Sequence, residues 1–375
     1  MKEINFSKPK INFSSTSRIF KQAIKNNFPN EGPLTKIFEN KIKKVLNVKY
    51  VIATTSGTAA LYLALKANNI GYGDEVIIPN ITFPATANAV HMTGAKVVLV
   101  DISKKNLLID PISLKKKISK KTKAIIPVHI SGRGENIREI MKISRTKKIK
   151  VIEDAAEAFG SKNGNQSLGS FGICGCFSFA PNKIMTTGQG GLIVTNDKKI
   201  YTKIINLKDQ GRVKSSDLRS SYLYKGFNFK FTDLQASLGL SQLNDFLKRK
   251  KKLLYIYNFY KKNLIQNEKF KLIGFNTKKG ELPLWTDIHC KNAKQIFYFL
   301  KKKRIICRLF WDPINSIAPY RESFKNLSKS KSLKNKLLWL PSSLYLNKKE
   351  LDYICLSINN FLYSKLGTKN NNLRK

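Results

Sequence analysis

The sequence predicts an α/β protein whose core is a mostly parallel mixed sheet covered by helices. Three observations carry this. Short, continuously apolar runs recur between residues 50 and 195, among them Val76-Ile-Ile78, Val97-Val-Leu-Val100 and Val151-Ile152, and such runs suit strands buried on both faces. Stretches of helical spacing separate them, as parallel crossovers require. Polar groups gather where the runs end, at Ser56-Gly57-Thr58, Thr82-Phe83 and Glu153-Asp154, and open α/β sheets collect their ligands at strand ends.

In order, residues 1–30 give mixed polar signals and read as an N-terminal arm. Leu34 to Leu46 has helical spacing, and Tyr50-Val-Ile-Ala is a strand that breaks at Ser56-Gly57-Thr58 into an alanine- and leucine-rich helix. That turn would collect free N–H groups and the positive end of a helix dipole, which suits a phosphate, although a plain N-cap reads the same way. Strands and helices then alternate to Asp154. Phe231 opens an amphipathic helix expected to run to about Leu264. The division expected is a large domain at 31–250, a smaller C-terminal α+β domain at 251–365 and a polar, disordered tail at 366–375.

Composition excludes several classes. No apolar run approaches 18 residues and the N-terminus lacks an apolar signal core, so no membrane span and no export are expected. Five cysteines (Cys174, Cys176, Cys290, Cys307 and Cys355) follow no metal-ligand rhythm and only three histidines could assist them. Reduced thiols in a cytoplasmic protein without a metal are expected. The formal charge of +45 raises nucleic-acid binding, but the lysines are spread along the chain rather than clustered and interleaved with aromatics. The charge therefore reads as a compositional bias on solvated faces, able to attract acidic or phosphorylated ligands.

Within this frame one stretch carries chemistry, Cys176-Phe-Ser-Phe-Ala-Pro-Asn-Lys183-Ile-Met-Thr-Thr-Gly-Gln-Gly-Gly191. Lys183 lies between two buried-looking strands, five residues after Ser178 and just before a glycine-dense loop. A lysine among apolar neighbours loses solvation and offers a neutral amine to a carbonyl. Alone, the segment reads equally as a surface lysine on a hairpin.

With Ser56-Gly-Thr-Ala-Ala-Leu61, Ile77-Ile-Pro-Asn-Ile-Thr-Phe-Pro-Ala-Thr-Ala87, Pro127-Val-His129, Glu153-Asp-Ala-Ala-Glu-Ala-Phe-Gly160 and Gly226-Phe-Asn-Phe-Lys-Phe-Thr-Asp-Leu-Gln-Ala236, the stretch resembles the DegT/DnrJ/EryC1/StrS family of sugar aminotransferases, over about residues 28–363. The resemblance implies the fold type I architecture of pyridoxal-phosphate-dependent transferases, with pyridoxal 5′-phosphate as cofactor. It makes Lys183 the residue that holds the cofactor and moves the proton, and Asp154 the partner of the pyridine nitrogen. It places Gly57, Thr58 and Ser178 at the phosphate, Phe83 over the ring and Glu157 beside the cofactor. Asn228 would reach a partner subunit's phosphate site in a homodimer with shared active sites.

Three positions depart from the family's pattern: Glu157 stands where Gln or His is usual, Gln189 where the loop carries Glu, and Lys230 where Arg is common. Glu157 in its Asp-Ala-Ala-Glu-Ala setting is similar to the perosamine synthase-like branch, which aminates a GDP-linked 4-keto-6-deoxy sugar; a buried structural acid is the other reading. His129 could meet substrate or only cap the sheet. Arg133 could contact a nucleotide diphosphate or be a solvated loop residue, and Arg308 and Trp311 read as core packing where the smaller segment meets the site. The implied activity moves an amino group from L-glutamate to the keto carbon, expected at C4, of a nucleotide-linked keto-deoxysugar for surface polysaccharide or O-antigen. The alternatives are a dehydratase of the same fold, which replaces the lysine by histidine, and a basic nucleic-acid-binding protein without catalysis.

Overall fold

Helices α1 (Phe13–Lys25) and α2 (Pro33–Leu46) precede strand β1 (Tyr50–Thr54) in the computed structural model, which describes residues 2–25, 29–213, 221–323 and 325–366. Ser56 then caps α3 (Gly57–Ala67) by accepting a 3.1 Å hydrogen bond from the Ala59 amide. Alternation continues through β2 (Glu75–Pro79), α4 (Pro84–Met92), β3 (Lys96–Val100), α5 (Pro111–Lys117), β4 (Thr122–Ile125), α6 (Ile137–Thr146) and β5 (Lys150–Asp154). Proline opens α2, α4 and α5 in the first turn, where its missing N–H would have had no helical partner anyway. A small hairpin, β6 (Lys162–Asn163) and β7 (Gln166–Ser167), leads to β8 (Cys174–Ser178), β9 (Gly191–Thr195) and α7 (Lys198–Lys208).

Seven of these strands form one sheet in the order β1-β9-β8-β5-β4-β2-β3. All pairings are parallel except the two made by β9, so β9 alone runs against the rest. Ser56, Phe83, Asp154 and Ser178 consequently meet at one edge, beyond the carboxyl ends of β1, β2, β5 and β8. Gly191 is required here: a Cβ on it would lie 2.3 Å from the Ser56 carbonyl oxygen. That close approach seats the start of α3 against the lysine loop.

Beyond a second hairpin, β10 (Arg212–Val213) and β11 (Ser221–Tyr222), come α8 (Asp233–Leu243) and α9 (Phe246–Asn263). The single helix expected from Phe231 to about Leu264 is thus two. Gln242 turns its side chain to the backbone of Thr186 (2.7 Å from Nε2 to the carbonyl), and the poor helix formers Asn244 and Asp245 occupy the break. A second, antiparallel sheet joins β12 (Phe270–Leu272), β13 (Thr286–Cys290), β15 (Leu337–Leu340) and β14 (Arg308–Leu309), in that spatial order. Helix α10 (Ala293–Lys302) follows β13, α11 (Ser328–Leu333) precedes β15, and α12 (Lys348–Leu366) closes the described chain. Ile256 and Tyr260 of α9, Ile296 and Leu300 of α10, and Leu351 and Ile358 of α12 pack with this sheet into a core of their own.

The N-terminal segment is more embedded than a polar arm. Ile4 bridges Ile305, Phe6 packs 5.7 Å from Trp285, and α1 meets α8 through a Thr16–Ser241 hydroxyl contact of 2.9 Å. Isolated apolar residues such as Ile4 and Phe6 carry no period, so their burial left no pattern to read. Residues 367–375, expected as a disordered tail, lie outside the described residues. All five cysteines are buried and free. No helix among the described residues is long and apolar enough to cross a membrane, and they hold no cluster of three metal-ligating side chains.

Candidate active site

The end of β5 presents two carboxylates to opposite faces of the sheet, as strand alternation demands. Glu153 turns inward and accepts four hydrogen bonds, from the amides of Gly169, Phe171 and Gly172 (2.8, 2.6 and 2.7 Å) and from His129 Nε2 (2.8 Å). Asp154 faces a cavity. It accepts a 2.7 Å hydrogen bond from the Thr86 hydroxyl at Oδ2 and a 3.2 Å one from the Ala156 amide at Oδ1. Burial pushes its carboxyl above the ordinary carboxylate range; Thr86, Ala156 and the charge on Lys183 oppose that.

Lys183 enters from the β8–β9 loop. Its Nζ lies 3.3 Å from Glu157 Oε1 and 5.0 Å over the Trp285 ring. The other oxygen of Glu157 accepts from the Ser131 amide at 2.8 Å. Ser131 holds a left-handed φ of 53°, rare for serine, and its hydroxyl donates to Asp287 at 2.9 Å. Burial also raises the carboxyl of Glu157, with Lys183 as the main opposing charge.

The cavity has a volume of about 450 Å³ and is lined by Gly57, Thr58, Phe83, Asp154, Glu157, Ser178 and Lys183, together with Gln189, Trp285, Arg308 and Trp311. Seven of the eight expected cofactor residues therefore share one space. At its inner end the start of α3 meets Ser178 so closely that a Cβ on Gly57 would sit 3.1 Å from the Ser178 Cβ. Hydroxyls of Thr58 and Ser178 beside a helix N-terminus suit a phosphate. The Phe83 ring is half exposed at the cavity and Asp154 retains unused acceptor capacity.

The eighth residue, Asn228, is exposed and lies outside this cavity; its backbone bridges Asp209. Lys230 pairs with Asp209 at 2.8 Å, while Gln189 accepts from Thr187 Oγ1 and Gln235 Nε2 through its carbonyl.

Four secondary candidates resolve. His129 is buried between Glu153 and the Arg133 carbonyl and does not line the cavity, which leaves the sheet-capping reading. Arg133 is neither solvated nor at the cavity: fully buried, it pairs with Asp287, donates to the carbonyls of Ile273 and Gly274 and stacks 3.6 Å from the Phe275 ring. Arg308 and Trp311, read as core packing, line the cavity. Thr86, Trp285 and Ser131 were missed. Only Thr86 left a trace, lying one helical turn past Thr82, whose hydroxyl meets it at 2.9 Å.

An amine, a buried carboxylate and an anion cradle around one cavity match the needs of pyridoxal 5′-phosphate, which requires a carbonyl partner, a ring-nitrogen partner and a phosphate seat. The protein is a pyridoxal-phosphate-dependent transferase with the fold type I architecture. More narrowly, residues 14–359 match the DegT/DnrJ/EryC1/StrS aminotransferase family, and the chain belongs to it. It is 34% identical over 342 residues to the GDP-perosamine synthase of Escherichia coli O157:H7, covering 89% of this chain and 92% of that protein. Among solved structures it superimposes on PseC of Helicobacter pylori, an aminotransferase involved in pseudoaminic acid biosynthesis (TM-score 0.90, 26% identity, 97% of this chain and 100% of that one). A DegT DnrJ EryC1 StrS aminotransferase from Brucella abortus gives a TM-score of 0.87 at 26% identity, covering 93% and 95%.

Proposed function

We propose that the protein transfers the amino group of L-glutamate to C4 of a nucleotide-linked 4-keto-6-deoxy sugar, in a pathway toward surface polysaccharide. The observation that carries this is its likeness to a GDP-perosamine synthase over 92% of that protein's length. Lys183 at the cavity favours amino transfer over dehydration in the same fold.

The cofactor, when bound, supplies an electron sink for the carbon that loses its proton. Lys183 would supply the amine that holds it and would carry the proton, with Glu157 at 3.3 Å steadying Nζ. Asp154, kept in place by Thr86, would pair with the ring nitrogen and favour its protonated form. Gly57, Thr58 and Ser178 would seat the phosphate, and Phe83 would cover the ring. Asn228, exposed on one chain, completes the phosphate seat of a second copy in a homodimer with shared sites.

The test loads the holoenzyme with glutamate, removes the keto acid and offers GDP-, UDP- and dTDP-linked 4-keto-6-deoxy sugars separately. Formation of 2-oxoglutarate followed by an amino sugar from the GDP substrate is expected. Amination of only the UDP or dTDP sugar would overturn the GDP reading, and amination of none would remove the nucleotide sugar as acceptor. For assembly, Lys183→Ala subunits mixed with Asn228→Ala subunits should regain activity through one site holding both native residues; no recovery after verified exchange would remove Asn228 from the partner's site.

A further inference from the structure

Ser131 touches both the active site and the second sheet through hydrogen bonds. It lies in the turn after β4, is fully buried, and has every polar group engaged. Its N–H donates to Glu157 Oε2 at 2.8 Å, and its carbonyl accepts from the Leu284 amide at 2.9 Å. Its hydroxyl donates to Asp287 at 2.9 Å and accepts from Trp339 Nε1 at 3.3 Å. Asp287 on β13 and Trp339 on β15 stand opposite each other in the second sheet, so two adjacent strands grip one hydroxyl.

The backbone at Ser131 needs that grip. A left-handed φ of 53° is unfavourable for serine and persists only where the surroundings over-determine it. The next residue, Gly132, is pressed against the same segment: a Cβ on it would lie 2.1 Å from the Leu282 carbonyl oxygen. Asp287 is itself anchored, because Arg133 pairs with its other oxygen and donates to the Ile273 and Gly274 carbonyls. What the arrangement fixes is Glu157. A glutamate turns about three bonds, and its two oxygens take set places only when one of them is pinned. Ser131 pins Oε2, which leaves Oε1 at 3.3 Å from Lys183 Nζ. Burial raises the Glu157 carboxyl; Lys183 and then the Ser131 amide oppose this, and the charge of Asp287 adds to it.

We infer that Ser131 is a positioning residue for amino transfer: held in its left-handed conformation by Asp287 and Trp339, it fixes the Glu157 carboxylate opposite the Lys183 amine. This rests on the reading of Lys183 as the reacting amine. Asp287 and Trp339 do not line the cavity, yet they stand two hydrogen bonds from Glu157. The second sheet thus sets the counter-charge of the amine through one serine, as outer residues that support a reacting group do elsewhere.

The experiment labels the cofactor-free full chain, in which the Lys183 side chain is 12% exposed and open to a small acylating reagent. Trace acetic anhydride at fixed pH, followed by mass spectrometry of the peptide holding Lys183 against one holding the exposed Lys198, gives a relative rate. A carboxylate fixed beside an amine favours the unreactive ammonium. Ser131→Gly tolerates the left-handed backbone and keeps the N–H but loses the hydroxyl. It should speed the labelling of Lys183 about three- to ten-fold, the range expected when one hydrogen bond is lost. Ser131→Ala, which keeps the Cβ, should act in the same direction. In a Glu157→Gln background the effect of Ser131→Gly should vanish, since the carboxylate it works through is gone. An unchanged rate in both Ser131 variants would overturn the assignment. So would an effect of equal size in the Glu157→Gln background, which would leave Ser131 a purely structural residue. In the loaded enzyme Ser131→Gly should lower kcat of the glutamate half-reaction about two- to five-fold with KM unchanged; a loss larger than that of Glu157→Gln would overturn the route through Glu157. If the native enzyme aminates none of the keto-sugars, the reading of its reaction fails while the labelling cycle still decides this one.

Discussion

Glu153 and Asp154 are consecutive carboxylates on one strand, both buried, yet they serve opposite ends. Four donors saturate Glu153, so its charge is used entirely within the protein and knits the 169–172 turn and His129 to the sheet. Asp154 has two donors and a cavity in front of it. Arg133–Asp287 and Lys183–Glu157 repeat the contrast. The first pair is closed by backbone carbonyls and a serine; the second leaves an amine at the cavity. Burial alone therefore does not mark a functional charge here. Unspent hydrogen-bonding capacity facing a space does.

Substitutions that separate the two kinds of site test this. The largest effect is expected from Lys183→Ala, which should lower turnover by at least about 10⁴-fold with the fold intact, since on the proposed reading it removes both nucleophile and proton carrier. Near-native turnover, read by 2-oxoglutarate formation, would dismiss the lysine. Asp154→Asn should cost about 10²–10³-fold in kcat while urea unfolding stays close to native, because on the proposed reading a neutral amide would no longer favour a protonated ring nitrogen. Its neighbour should behave in reverse: Glu153→Gln places an NH₂ against N–H donors and should cost about 2–5 kcal/mol of stability, with turnover per folded molecule little changed. If Glu153→Gln proved as stable as native, the contrast drawn between the two acids would collapse.

Smaller effects follow from the raised carboxyls. In the cofactor-free protein, burial lifts Asp154 above its ordinary 3.8, so the folded chain holds a proton that the unfolded chain has already lost. The stability this contributes is full below 3.8 and is lost as pH rises through the folded value. The melting temperature of Asp154→Asn minus that of native should accordingly grow from pH 4 upward; a flat difference would mean that Asp154 ionises as a free carboxylate does. Smallest of all, Glu157→Gln should reduce turnover by less than about ten-fold and move the acid limb of the kcat/KM profile to lower pH, because the raised acid is gone. An unmoved limb would place the titration elsewhere.

The same contrast explains what could be read beforehand. Asp154 and Ser178 announce themselves because each ends a strand, and Gly57 and Lys183 because they lie in the turns that follow such strands; strand ends are legible from local pattern. Arg133 was unreadable because its partner Asp287 lies 154 positions away and nothing near it signals burial. Trp311 failed for a related reason: an aromatic packs equally well in a core or at a cavity wall, and only the neighbours decide. The break between α8 and α9 was hidden because helical spacing continues across Asn244 and Asp245, while the cause is a side chain reaching Thr186.

The position of β1 in the main sheet bears on how the chain is made. Among the described residues its one strand partner is β9, whose residues are synthesised about 140 positions later. At about 5–20 residues per second, roughly 7–30 s pass on the ribosome before β1 meets the strand it pairs with. Ser56 and Gly57 cannot settle against Gly191 before then. The nascent chain must therefore carry a sticky edge for more than a third of its synthesis, and the start of α3 cannot seat against Gly191 until the β9 segment has emerged.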